Sequence, residues 1–270
     1  MFSKLFRGFT ACLILSNLNS HSTGLIPYNG TPGVHAVYRG IWAVFDNPAG
    51  IAEQTAFSTG ISYQSQFLMQ ELSTKALAMV IPMKKVGNLG VGYQQFGYEL
   101  YKDQRGCLVY SKSFGTAVSA GVRFDYIASK FGGEYGSTSA ITGSVGVIAR
   151  ITEAVRVGAS VFNPQRAKFS DDGEERYPAI MMAGLSWNFG GETELGLGIS
   201  KSGDSKHLFQ CALRYQVSPK FILHGSVSNG ADPFLFGYAF KIGKLEIGMA
   251  SGYHQMLGFS PCFSLTFKNK

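Results

Sequence analysis

Past position 22, four histidines, His35, His207, His224 and His254, are the side chains best suited to hold a metal or move a proton. They lie on separate segments and share no ligand spacing. The sequence contains no His-Glu-x-x-His, no Cys-x-x-Cys and no Gly-x-Ser-x-Gly. The glycines of "LGVGYQQFG" and "LGLGISKSG" alternate along extended segments, so they do not form a phosphate loop opening a helix. What remains is a set of charges on the polar side of alternating segments: Arg123, Asp125, Arg150, Arg156, Glu194, Arg214, His224 and Glu246. An unpaired buried charge is expensive, so these groups are expected to pair with one another. The basic ones would otherwise suit an anionic head group such as a fatty carboxylate. No catalytic site, metal or cofactor is expected from this inventory, and the chain is not read as an enzyme.

The elements that must position these charges follow from composition. Charged residues make up 15% of the chain and glycine contributes 34 of 270 residues, against roughly 25% charged in soluble domains. No apolar run approaches the ~18 residues of a membrane-spanning helix. Two classes survive: a glycine-rich soluble β protein and a membrane β-barrel. Lys4 and Arg7 followed by the apolar stretch Phe9 to Leu15, with small Ser20 and Ser22 behind it, read as a secretory signal peptide over residues 1–22. Loss of Lys4 and Arg7 lowers the net charge from +7 to +5. The remaining basic residues are scattered, which gives no nucleic-acid footprint. Cys107, Cys211 and Cys262 are an odd, widely spaced set and make no disulfide framework.

From Thr55 onward the hydrophobic period is two. In "TAFSTGISYQSQF", Phe57, Ile61, Tyr63 and Phe67 oppose Ser58, Gly60, Ser62, Gln64 and Gln66. In "GTAVSAGVRFDYIAS", Val118, Val122, Phe124 and Tyr126 oppose Ser119, Gly121, Arg123 and Asp125. Fourteen such segments are expected, centred near residues 61, 78, 91, 109, 122, 145, 158, 183, 197, 211, 224, 237, 248 and 263. Residues 55–270 then provide about 15 residues per strand and connection, which suits tilted strands crossing a bilayer. Even-numbered connections are tight ("KKVGN", "SFGT", "ITEA", "FGGET", "VSPK", "IGK"), whereas the odd-numbered ones include "LYKDQR", "GGEYGS" and "QRAKFSDDGEERY". That parity is expected of an outer-membrane barrel. Most strand glycines fall on the polar face, Gly143 and Gly225 excepted, which leaves room for something inside. The opposite face collects Tyr93, Phe124, Tyr126, Trp187, Phe189, Tyr215 and Phe236, as aromatic girdles do.

Just before the first strand stands "VFDNPAGIAEQ". Pro48 fixes its own φ and keeps Asn47 extended, Asn47 can bond backbone two residues on, and Gly50 permits a reversal. With "GVHAVYRGIWAVFDNPAGIAEQ", "VRVGASVFNP" and "HQMLGFSPCFSL", the chain resembles Bacteroidota outer-membrane barrels related to the long-chain fatty-acid transporters and to the barrels associated with type IX secretion. The resemblance rests on Asn47, Pro48, Ala49 and Gly50 and spans nearly all of the chain after the signal. It departs at "VHAVYRG", where relatives carry small residues and this chain has Val34, His35, Val37, Tyr38 and Arg39. It implies a transmembrane antiparallel β-barrel over 55–270, a plug over 23–54 and a Gram-negative outer-membrane location. The partners it implies are membrane lipid, lipopolysaccharide and a hydrophobic small-molecule cargo moving through a passive channel. The alternative function is an accessory or docking barrel with a secretion or surface-protein partner.

Overall fold

The structure, a computed structural model, describes residues 34–132, 136–168 and 176–269. The expected signal peptide and residues 23–33 of the expected plug lie outside the described residues. Fourteen strands follow one another: β1 (Phe57–Ser65), β2 (Ser73–Met83), β3 (Gly87–Tyr98), β4 (Tyr101–Phe114), β5 (Val118–Phe131), β6 (Ser137–Arg150) and β7 (Val155–Phe162) make one half. The other half is β8 (Ile180–Phe189), β9 (Thr193–Ser202), β10 (Leu208–Ser218), β11 (Phe221–Ser228), β12 (Phe234–Ile242), β13 (Leu245–His254) and β14 (Gly258–Asn269). Each pairs antiparallel with its sequence neighbours, and β1 pairs with β14 from Phe57↔Asn269 to Gln64↔Cys262, so the sheet closes into a barrel. Closure removes the free edges that an open sheet of this length would expose.

The fourteen expected segments are these fourteen strands. One connection differs from expectation. "LYKDQR" is not a loop: Glu99 and Leu100 make the whole turn, and β4 begins at Tyr101. Its charges alternate across the wall, with Asp103 and Arg105 buried inside and Lys102 and Gln104 outside, so a strand read as a polar loop.

Period two sorts the faces. Outward positions carry Phe124, Ile141, Val145, Phe209, Phe236 and their neighbours, exposed on the wall; Phe124 is 66% exposed. At the end that holds the start of β1 and the end of β14, Trp187 and Phe189 lie 4.1 Å apart by ring centroids, and Phe221 stacks on Phe240 at 4.5 Å. Tyr253 and Phe259 pair at 5.1 Å toward the other end. An uninterrupted apolar wall between two aromatic rims is stable only against lipid, and the fold is a transmembrane barrel.

Among the described residues the ladder is interrupted between β6 and β7. β6 runs Ser137–Arg150, but β7 pairs only with Ser144–Arg150, so the half of β6 from Ser137 to Gly143 has no partner on β7. The chain leaves the wall at Asn163, whose amide donates to the Gly143 carbonyl at 2.8 Å, and re-enters it at Ile180. Lys168 and Arg176 form a single bridge across the excursion.

Candidate functional site

Inside the barrel, residues 34–51 are buried against the wall, with Arg39 only partly so. Two short 3₁₀ helices, Ile41–Val44 and Pro48–Ile51, flank a corner at Asn47. Asn47 is extended (φ −81°, ψ 111°), as a residue before proline must be, and its Oδ1 accepts from the Ala49 amide at 3.0 Å. Its Nδ2 donates to the Ala36 carbonyl at 2.6 Å and faces the carbonyls of Val147 on β6 and Ala159 on β7 at 3.2 and 3.3 Å. One amide thus ties the corner to its own segment and to two wall strands. Gly50 differs from expectation. It makes no left-handed turn; a Cβ there would run into the Tyr38 carbonyl oxygen and come within 2.6 Å of the Ala43 Cβ. Close packing, rather than reversal, requires glycine at this position.

The strand glycines explain how the segment fits. A Cβ at Gly121 would lie 2.6 Å from the Pro48 carbonyl carbon, one at Gly90 2.8 Å from Ile51, and one at Gly92 2.8 Å from Phe45. At Gly146 it would collide with Asn47 Oδ1, and at Gly158 with the Ala36 carbonyl oxygen. The glycine face is therefore filled by Tyr38, Trp42, Val44, Phe45 and Ile51, which pack with Ala76, Ala78, Val80, Cys107 and Val109. Asn88, at the start of β3, directs its Nδ2 to the carbonyls of Ile51, Ala52 and Gln54 at 2.7, 3.0 and 2.8 Å and fixes the exit into β1.

The sequence-predicted charges divide into two groups. Arg123 and Asp125 come together above the corner. Asp125 accepts from Arg105 Nε at 2.8 Å and from Arg123 Nε at 2.9 Å, while Arg123 also donates to the Val44 and Asp46 carbonyls and to Ser144 Oγ. All three side chains are buried, and both guanidiniums lie over the Phe162 ring, at 4.8 and 5.7 Å. Asp125, Ser144 and the main chain thus take up the Arg123 guanidinium and tie it to the segment, which leaves it poorly placed to receive a further carboxylate. The second group stands at the end where the chain enters β1. Arg150 donates to the Thr116 carbonyl at a turn. Arg156 is its cross-strand partner, with Arg39, Glu53 and Glu194 close enough to interact. Arg214 sits opposite Glu194 on one side and His224 on the other, with Glu246 in electrostatic range. The His224 ring is buried against Gly237, where a Cβ would collide with Nε2.

Sequence reasoning missed Arg105, Asn88 and Asn163. Asn163 has φ 51° and is fully buried. Its Nδ2 donates to the Tyr177 carbonyl at 2.7 Å, and its Oδ1 accepts from Thr142 Oγ1 and the Ala167 amide at 2.7 and 2.9 Å. These bonds close the interrupted part of the wall. Behind it, Ile127, Ala140, Phe162, Tyr177, Ile180 and Met182 form an apolar cluster flanked by Tyr101 and Phe131. Outside the membrane-spanning strands, burial raises the Tyr177 phenol well above its ordinary pKa, with Asp103 adding to the effect, so it stays neutral at physiological pH. Among the described residues no group of three His, Cys, Asp or Glu is placed to hold a metal.

Solved structures share this arrangement of strands. The Pseudomonas putida toluene transporter TodX superposes with a TM-score of 0.66 at 10% identity, over 88% of this chain and 97% of that one. The chain shares their barrel fold. The Ralstonia pickettii toluene transporter TbuX gives 0.67 at 11%, over 92% and 99%. The monoaromatic hydrocarbon channel CymD gives 0.65 at 11%, over 92% and 98%. No protein-family model matches the sequence, and no curated protein matches it.

Proposed function

We propose that this chain is a passive channel for small hydrophobic molecules in the outer membrane of a Gram-negative bacterium. Residues 23–54 are its plug, held at Asn47–Gly50. The observation that carries the reading is the β6–β7 interruption backed by an apolar cluster. Elsewhere, a molecule crossing the wall must break a ladder of backbone hydrogen bonds in apolar surroundings, which is prohibitive. At the interruption the described residues oppose it with the Asn163 bonds, the Lys168–Arg176 bridge, the Tyr177 to Ala167 backbone bond and apolar side chains, without a continuous ladder. A polar solute meets the filled floor instead. The similar structures named as toluene and hydrocarbon channels support a hydrophobic cargo. The short turns at the end where β1 begins support a periplasmic location for that end, with residues 163–168 and 176–179 outside. The docking-barrel alternative, with its Bacteroidota and type IX associations, draws no support from these similarities, and no feature of the described residues favours it.

The test is uptake by whole cells, because lipopolysaccharide rather than a phospholipid bilayer limits hydrophobic solutes there. Cells displaying the chain should take up radiolabelled toluene or a labelled fatty acid faster than cells without it. Uptake of a hydrophilic dye should stay at background. Unchanged hydrophobic uptake with the barrel correctly inserted would overturn the reading.

A further inference from the structure

On the outer wall, at the end opposite the termini, β1 to β5 enclose a cleft of about 620 Å³. Lys75, Lys102 and Lys130 line it, together with Tyr63, Tyr98 and Gln95. Tyr63, Lys75, Gln95, Lys102 and Lys130 fall on the outward parity of their strands, and Tyr98 closes the end of β3. Below Lys75 on the same face of β2 come Leu77, Met79 and Ile81; below Lys130 on β5 come Tyr126, Phe124 and Val122. The wall therefore passes from aliphatic side chains to a polar belt, where Gln104 Nε2 donates to Tyr93 Oη at 2.6 Å, and then to lysine. Lys102 and Lys130 are direct cross-strand partners. Like charges opposite one another destabilise a sheet unless an anion lies between them. Glu99 is the one carboxylate lining the cleft, and no carboxylate among the described residues forms an ion pair with any of the three lysines. At the same height on β9 the wall carries Lys201 beside Met181 of β8, outside the cleft.

We infer that this cleft binds the phosphate groups of a lipopolysaccharide molecule in the outer leaflet, with its acyl chains against the aliphatic wall below. The inference rests on the membrane reading above, with this end facing outward. Three ammonium groups above an apolar wall complement a phosphorylated head group above lipid tails, and the tyrosines suit the interface between them. A wall site with this chemistry gives the barrel a lipid-fixed side, adjacent to but separate from the β6–β7 interruption.

The experiment uses the full-length protein, purified in detergent and mixed with lipid A, dephosphorylated lipid A or phosphatidylglycerol, with bound lipid read by native mass spectrometry. The unaltered chain should retain lipid A about tenfold better than either comparison lipid. The combined Lys75→Gln, Lys102→Gln and Lys130→Gln variant should lose that preference while still inserting into vesicles and resisting protease. Lys201→Gln should keep it. Equal retention by the triple variant, or equal retention of the dephosphorylated lipid or phosphatidylglycerol, overturns the inference alone. A chain that cannot insert into vesicles overturns the membrane reading and the inference with it.

Discussion

At the scale of single residues, three asparagines substitute for backbone ladders where the chain departs from the wall: Asn47 at the lumenal corner, Asn88 at the exit and Asn163 at the interruption. Asn47→Asp tests the first. It keeps the shape but removes a donor and sets a carboxylate against the carbonyls of Ala36, Val147 and Ala159. The loss should be about 1–3 kcal/mol for the unsatisfied acceptors and more for the charge. Planar-bilayer recordings should show intermittent openings absent from the parent. A current trace as quiet as the parent's would mean that the corner does not hold the segment. Asn47 was legible because proline and glycine mark a corner in any sequence. Arg105 was not, because "LYKDQR" offers five polar or aromatic residues after a leucine and nothing local says that alternate ones point inward. Asn88 and Asn163 looked like ordinary turn residues; their partners lie in segments that only the closed barrel brings near.

At the scale of elements, β7 and β8 are short beside β5 and β6, and Asn163 closes the difference. Asn163→Ala removes its side-chain hydrogen bonds and places alanine at a left-handed φ, a strain of roughly 1–2 kcal/mol. Asn163→Gly removes the bonds without the strain. Both should loosen this part of the wall, seen as faster amide hydrogen exchange at Tyr177–Ile180, with alanine the more damaging. Protection unchanged in both would show that the apolar cluster alone keeps the wall shut. Strand positions were readable from period two because every strand has one lipid face and one polar face. The interruption was not: "VFNPQRAKF" reads as any strand running into a loop, and its length gives no hint that the neighbouring strand continues unpaired.

At the scale of the whole molecule, the filled lumen alters what substitutions mean. An Arg at Ser160 would be tolerable on an open polar face, but Ser160 is buried across from Gly146, beside the Asn47 corner, and no guanidinium fits there. Ser226, on the half-buried inner face of β11, is the better position. Phe124→Arg should impair insertion by on the order of 2–4 kcal/mol if it lies near the midplane, while Ser226→Arg should insert normally in a vesicle-folding assay. Equal insertion of both would mean that the faces are misassigned. Deleting residues 24–43 should leave a barrel that assembles but passes small hydrophilic solutes, measured as steady single-channel conductance. A deletion variant as closed as the parent would show that the segment does not seal the lumen.

The pairing of β1 with β14 joins positions some two hundred residues apart in sequence, whereas every other ladder joins neighbours. Closing so long a loop costs about 2 kcal/mol more chain entropy than closing a hairpin of twenty residues, and contacts of such sequence separation form slowly. Of the fourteen strands, the last to be made is therefore the one that completes the ring. Until it does, β1 and β13 present bare edges able to recruit other chains. The lumenal segment adds a constraint of timing. Its side chains interlock with glycines on β3, β5, β6 and β7, a fit most readily made if it already lies in the trough of the curling sheet when the two edges meet. Assembly thus resembles wrapping more than threading: a chain that closes first must feed its contents in through the mouth of the finished ring.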